Sequence, residues 1–217
     1  MRVYGPWAIR HVRRQREWRW RGLTLTVPTG VFHPGLFFSS GVLATEIERR
    51  KPRGRSVLDV GCGSGVLSLI AARGGATVTA IDINAEAVGA TLANAAANDL
   101  NIEVLRSNLY GALNGRRFDL VVVNPPYFAK DPADDTERAW FAGADLGYFE
   151  QFFAGLDDHL AIKPEPGTAL MVLSEGCDMA VVSAAATRHG FRLGVAARKQ
   201  RWLGVQVVWV IDRVHPA

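Results

Sequence analysis

"RSVLDVGCGSGVLSLIAARGGATVTAIDI", residues 55–83, decides the fold. A short apolar run ends in Gly61, Gly63 and Gly65, an apolar helix follows and closes at Gly74 and Gly75, and a second apolar run ends on Asp82. Strand, helix and strand in that order form a βαβ unit, whose two strands lie parallel. Glycines at a strand's carboxyl end let the backbone turn sharply and approach a ligand without a Cβ clash. The spacing is G-x-G-x-G, with Val66 where a dinucleotide site would place its third glycine. Asp59, two residues before the first glycine, is placed to reach the cationic amino end of a ligand, directly or through water. Asp82 ends the second strand, where a carboxylate accepts hydrogen bonds from both ribose hydroxyls. Ribose plus an amino-acid group, with no phosphate to hold, describes S-adenosylmethionine better than NAD. Cys62 reads as a residue fitted to a tight turn rather than a nucleophile.

The alternation continues outward from this unit. "NAEAVGATLANAAANDL" (84–100) predicts an amphipathic helix with Asn84 as N-cap and Val88, Leu92 and Ala95 on one face. "NIEVLRS" and "FDLVVVNPP" are the third and fourth strands, and a Pro/Asp-rich loop (128–137) leads to a helix near 146–160. "GTALMVLSE" is the fifth strand, "DMAVVSAAATRHG" a helix, and "FRLGVAARK" and "GVQVVWVIDRV" two β-rich runs joined as a hairpin. The expectation is an α/β, Rossmann-like, seven-stranded and mainly parallel sheet with an antiparallel edge hairpin and helices on both faces. Residues 55–217 would form this domain. Residues 1–54 read as a basic N-terminal extension: a helix, a hairpin "EWRWRGLTLTV", and a substrate-side loop "PTGVFHPGLFFSS".

Composition narrows the class. The chain has 217 residues, nearly half of them apolar, which suits one α/β domain. Cys62 and Cys177 provide neither a disulfide framework nor metal-ligand spacing, so no metal is expected. No apolar run suits a signal peptide or a membrane span, which points to a cytoplasmic protein with no membrane partner. Seven arginines against Glu17 give residues 1–21 a net +6, so the rest carries −2 of the +4 total. Trp7, Trp18 and Trp20 are interleaved with them. Arginine with aromatics is a footprint for nucleic acid or an acidic surface, and equally the pattern of a solvated helix and hairpin whose tryptophans pack on the domain.

"VVVNPPYF", residues 121–128, ends the fourth strand on Asn124, Pro125, Pro126 and Tyr127. Two prolines stop the ladder, but a stop alone needs neither the amide before them nor the ring after. An amide or exocyclic amino nitrogen is planar and a poor nucleophile, because its lone pair is delocalised. Methylating it requires acceptors for its two hydrogens, and the Asn124 side-chain oxygen and the Pro125 carbonyl are such a pair. Pro126 stiffens the corner, and Tyr127 offers a face on which a planar group stacks. Ligands of such sheets sit beyond the strands' carboxyl ends, where residues 59–65, 82 and 124–127 converge.

Asp59-x-Gly61-x-Gly63-x-Gly65, Asp82 and Asn124-Pro125-Pro126-Tyr127 together resemble the class I S-adenosylmethionine-dependent methyltransferases, in the branch with an N/D-P-P-Y/F/W motif. Within it the chain looks most like the short HemK-type release-factor glutamine methyltransferases, over about residues 29–213, including "VFHP", "NLYGAL" and "WFAGADLGYFEQFF". The resemblance implies S-adenosylmethionine as cofactor, bound by Asp59, Gly61, Gly63, Gly65, Asp82 and Asn108. It implies Asn124, Pro125 and Tyr127 as catalytic residues, with Pro126, Phe32 and His33 on the substrate side. Two departures stand out: Pro34 is followed by "GLFFSS" rather than acidic and hydroxyl residues, and Asn108 stands where an aspartate is expected. The Asn108 amide oxygen can still accept from the adenine amino group. Ser39 and Ser40 either supply the polar contacts this loop has lost or cap the next helix, the cap being favoured, and His33 reads as a loop or packing histidine in preference to one that lines the site. The favoured acceptor is a protein glutamine. Alternatives are an amino group of an RNA or DNA base, with the basic arm gripping phosphate, a small-molecule nitrogen, or a non-catalytic module that keeps the fold.

Overall fold

The computed structural model describes residues 16–34, 38–134, 137–162, 165–201 and 204–214. The expected N-terminal helix, Trp7 and part of the "HPGLFFSS" loop lie outside the described residues. The described chain opens with the expected hairpin, β1 (Arg16–Trp20) against β2 (Leu23–Val27). Arg21 and Gly22 connect them, both at positive φ (51° and 78°), the backbone that matches a two-residue turn to strand twist.

Helix α1 (Ser39–Arg49) follows, then β3 (Ser56–Val60), α2 (Val66–Arg73), β4 (Thr77–Asp82) and α3 (Ala85–Ala97). After β5 (Glu103–Arg106) a 3-10 turn (Leu109–Ala112) leads to β6 (Leu120–Val123). Helix α4 (Gly147–His159), β7 (Thr168–Ser174), α5 (Met179–Arg188), β8 (Phe191–Arg201) and β9 (Gly204–Arg213) complete the order. The seven-stranded sheet has the order β5-β4-β3-β6-β7-β9-β8. Strands β3 to β7 are mutually parallel, and β9 runs against both neighbours. The edge hairpin is therefore present, and its reversed strand sits one place in from the edge.

The central strands are buried on both faces, so they read as unbroken apolar runs. Leu58, Val60, Val121, Val123, Met171 and Leu173 point into one core with Phe149, Phe152 and Phe153 of α4 and Val182 of α5. Their alternating neighbours Val57, Leu120, Val122, Leu170 and Val172 join Leu43 and Ile47 of α1, Leu69 and Ile70 of α2, and Leu23 and Leu25 of the hairpin. The hairpin thus shares the core of the sheet.

One expected face is corrected. In α3 the buried residues are Ala87, Ala90, Thr91, Asn94 and Ala95, while Leu92 is 48% exposed. Small and hydrogen-bonding residues face inward because the glycine turn and β2 approach this helix closely. A Cβ on Gly65 would stand 2.8 Å from Thr91 Cγ2. Asn84 caps the helix as expected, accepting from Glu86 N–H at 2.9 Å.

Candidate active site

At the carboxyl edge of the sheet the ends of β3, β4 and β6 open onto one cleft of about 410 Å³. Its walls include Gly61, Gly63, Asp82, Asn108, Asn124, Pro125, Pro126, Tyr127 and Phe32, so nine of the twelve residues singled out in the sequence meet there. Asp59, Gly65 and His33 do not line it.

The glycine corner is built by backbone. Gly61, Gly63 and Gly65 all take positive φ (71°, 56° and 80°), and the Gly61 and Cys62 amides donate to the Ile81 carbonyl at 2.9 and 3.0 Å. Among the described residues nothing lies within 4 Å of a Cβ placed on Gly61, so its wall of the cleft is open to a close ligand. Asp82 orders this corner, accepting from Gly63 N–H on one oxygen and Asn84 N–H on the other, both at 2.9 Å. A carboxylate is an acceptor with about four lone-pair sites, the chemistry that a ribose diol requires. The corner therefore fits S-adenosylmethionine: a glycine wall for the amino-acid portion, Asp82 for the ribose, and Asn108 on the same cleft for the base.

Asp59 is a correction. It is fully buried beneath α2, where Ser68 donates to one oxygen through both its amide (3.0 Å) and its hydroxyl. The other oxygen, Oδ1, has no hydrogen-bond partner among the described residues. Burial pushes the carboxyl up to about 7, against the lowering effect of the Ser68 hydrogen bonds. It organises the strand end from behind and makes no wall of the cleft. Gly65 likewise serves the helix start, pressed against Thr91. His33 is 7% exposed with its ring 6.0 Å from that of Trp18, so packing under the hairpin replaces a place on the substrate side. Cys62 is buried and its thiol held well above the usual range by desolvation, which favours the protonated thiol.

At the acceptor corner Ser39 and Ser40 take the less favoured of their two expected roles, as polar contacts. Ser39 and Ser40 do not cap α1: Phe38 is at the cap with no side-chain hydrogen bond. Instead the Asn124 amide nitrogen donates to their hydroxyls, at 3.4 and 3.2 Å. That engages the NH₂ end of Asn124 and leaves its carbonyl oxygen as an acceptor.

Sequence reasoning also missed the opposite wall. Residues 128–130 are bridged to residues 141–143, Phe128 to Phe141 and Lys130 to Gly143. Lys130 clamps the fold with 2.8 Å contacts to Glu137 and sits 4.4 Å over the Phe141 ring. This brings Trp140 onto the cleft with its ring 5.1 Å from that of Phe32. The signal available was the tryptophan itself in a loop beyond a strand end, but nothing local says which way such a loop folds.

A family model described as methyltransferase small domain matches residues 22–145. Among curated relatives, a ribosomal RNA small subunit methyltransferase C from Sodalis glossinidius is 43% identical over 105 residues, 47% of this chain and 29% of that protein. The protein of the same name from Escherichia coli is 40% identical over 114 residues, 51% of this chain and 32% of that one. The matches thus span about a third of the length of these relatives. Among solved structures, the T. thermophilus 16S rRNA N2 G1207 methyltransferase in complex with AdoMet and guanosine aligns with TM-score 0.66 and 25% identity, over 92% of this chain and 50% of that one. A ribosomal protein L11 methylase from Lactobacillus delbrueckii aligns with TM-score 0.62 and 26% identity, over 84% and 82%. These curated relatives carry ribosomal RNA names, which moves the resemblance away from the release-factor glutamine enzymes.

Proposed function

The chain belongs to the methyltransferase small domain family, and from that membership we propose that it transfers the methyl group of S-adenosylmethionine to the exocyclic amino nitrogen of an RNA base, guanine N2 favoured. The observation that carries this reading is the cleft in which Asn124, anchored by Ser39 and Ser40, stands among the rings of Phe32, Tyr127 and Trp140. Three aromatic walls suit a nucleobase better than the smaller plane of a glutamine amide. The names of the curated relatives, and the guanosine named with the T. thermophilus structure, support the same acceptor.

S-adenosylmethionine, when bound, supplies an electrophilic methyl group on a sulfonium. Asp82 and the glycine corner would hold it, and Asn108 would accept from its adenine. Asn124 Oδ1 and the Pro125 carbonyl accept the two hydrogens of the amino group, so positive charge growing on nitrogen meets dipoles fixed in advance. Removing one such preorganised group costs about 10²–10³ in kcat elsewhere. No strong base is required, because the proton leaves after the nitrogen has become cationic. A base extruded from an RNA stack costs a few kcal/mol; stacking on cleft aromatics returns roughly 1–3 kcal/mol.

The test offers tritiated S-adenosylmethionine with unmodified small-subunit rRNA transcript, naked or assembled with ribosomal proteins, followed by nucleoside analysis. Label should appear in RNA as an N-methylated amino base. Asn124→Ala should lower turnover about 10²–10³-fold while calorimetric affinity for S-adenosylmethionine changes little. Label confined to protein overturns the acceptor, and undiminished turnover overturns the role of Asn124.

A further inference from the structure

The register of the sheet places an unusual feature beside the acceptor corner. Val123, the last residue of β6 before Asn124, pairs with Met171; Met171 pairs with Trp209, and Trp209 with Val195. Strand β8 then continues from Ala196 to Arg201, on the order of 17–20 Å at about 3.3 Å per residue, beyond the level at which β6 ends. Lys199 is level with Gln206 and hence with Ser174, the end of β7, and the pairing Arg201–Gly204 lies further out. The hairpin therefore overhangs the carboxyl edge, on the side of the sheet where β6 delivers Asn124.

The overhang is basic. Arg198, Lys199 and Arg201 are exposed, and Gln200 between them is exposed too. Among the described residues a single carboxylate, Glu175, forms an ion pair with the run, 3.9 Å from Arg198 with both side chains more than half exposed. A pair so exposed is worth about 0–1 kcal/mol, too little to hold Arg198 from a phosphate. Arg201 places its guanidinium 5.8 Å from the ring of Phe38, the residue that precedes Ser39 and Ser40. The run thus abuts the helix start that anchors Asn124. Charges also guard edge strands against pairing, but that role would spread them along β8. Residues 191–197 instead carry Arg192 alone and leave Val195 60% exposed.

We infer that this overhang, centred on Arg198 and Lys199, is a docking surface for the RNA backbone flanking the target nucleotide. The inference rests on the RNA reading above and adds where the strand is gripped. Arg198 and Lys199, on opposite faces of the overhanging strand, give the RNA backbone a cation on either side of it and fix its register; the cleft itself reads the base.

The test compares the intact chain with Arg198→Ser/Lys199→Ser, leaving Arg201 in place because it touches Phe38. Binding of a short single-stranded oligonucleotide is followed by fluorescence anisotropy across a salt series. Loss of two phosphate contacts should reduce the slope of log K against log salt by about 1.4. KM for the rRNA transcript should rise about tenfold, with kcat and S-adenosylmethionine affinity unchanged. An unchanged slope and KM, with RNA still labelled, overturns the docking surface alone. Failure of the intact chain to bind or label RNA, or label found only on protein, overturns both readings.

Discussion

Asp59 shows how one side chain links fold and pH. Its carboxyl is held at about 7 by burial, against an ordinary value of 3.8, so between those values the folded chain keeps a proton that the unfolded chain has lost. Stability from this group is full below pH 3.8, falls as pH rises, and is lost above about 7, with a slope of at most about 1.4 kcal/mol per pH unit. Asp59→Asn should flatten that slope, so the variant gains on the wild type as pH rises through about 5 to 7. Urea unfolding at a series of pH values measures this, and a constant difference would show that the carboxyl does not titrate in that window. The position of Asp59 was legible in the sequence, but its direction was not. Period-two alternation puts it on the α2 face of β3, with Val57 and away from Leu58 and Val60. The Ser68 contact that then buries it depends on how α2 lies across the strand.

At the scale of elements, α3 and the hairpin are joined by two asparagines that act as a substitute strand. Asn94 accepts from Thr26 N–H at 2.8 Å and donates to the Thr26 carbonyl at 2.9 Å; Asn98 does the same for Thr24 at 3.0 and 2.8 Å. The edge of β2 is thereby satisfied without a third strand. Asn94 also donates to the Ser64 carbonyl at 2.9 Å, tying the hairpin to the glycine corner. Asn94→Ala leaves the half-buried Thr26 groups and the buried Ser64 carbonyl unpaired and should cost about 2–3 kcal/mol. Leu92→Ala, on the exposed face, should stay within about 0.5 kcal/mol. Equal losses in chemical denaturation would contradict the placement of the helix. Hydrophobic periodicity could not reveal this face, because its signal comes from the size of apolar residues. Here the inward positions are alanines and polar side chains, and the largest aliphatic faces water.

Across the whole molecule, the mainly parallel sheet, its antiparallel hairpin and the carboxyl-edge location of the cleft were readable from the alternation of elements and the glycine-rich first turn, while the order of the strands was not. The far wall and the β8 overhang were not, since both depend on contacts between segments distant in sequence. The two apolar cores lie on opposite faces of one sheet, and the cleft draws its walls from the ends of the strands they share. S-adenosylmethionine binding should therefore stabilise the chain as one cooperative unit. At a hundredfold excess over Kd the gain is about 2.7 kcal/mol, or roughly 5–11 °C in Tm for a chain of this length. Asp82→Ala removes the acceptor for the Gly63 and Asn84 amides and the proposed acceptor for the ribose, so it should lower the baseline Tm and abolish most of the ligand-induced shift. Calorimetry with and without S-adenosylmethionine reads both effects. Two separate transitions, with the ligand moving one of them, would show that the two cores unfold independently. A full shift in Asp82→Ala would remove that residue from the cofactor site.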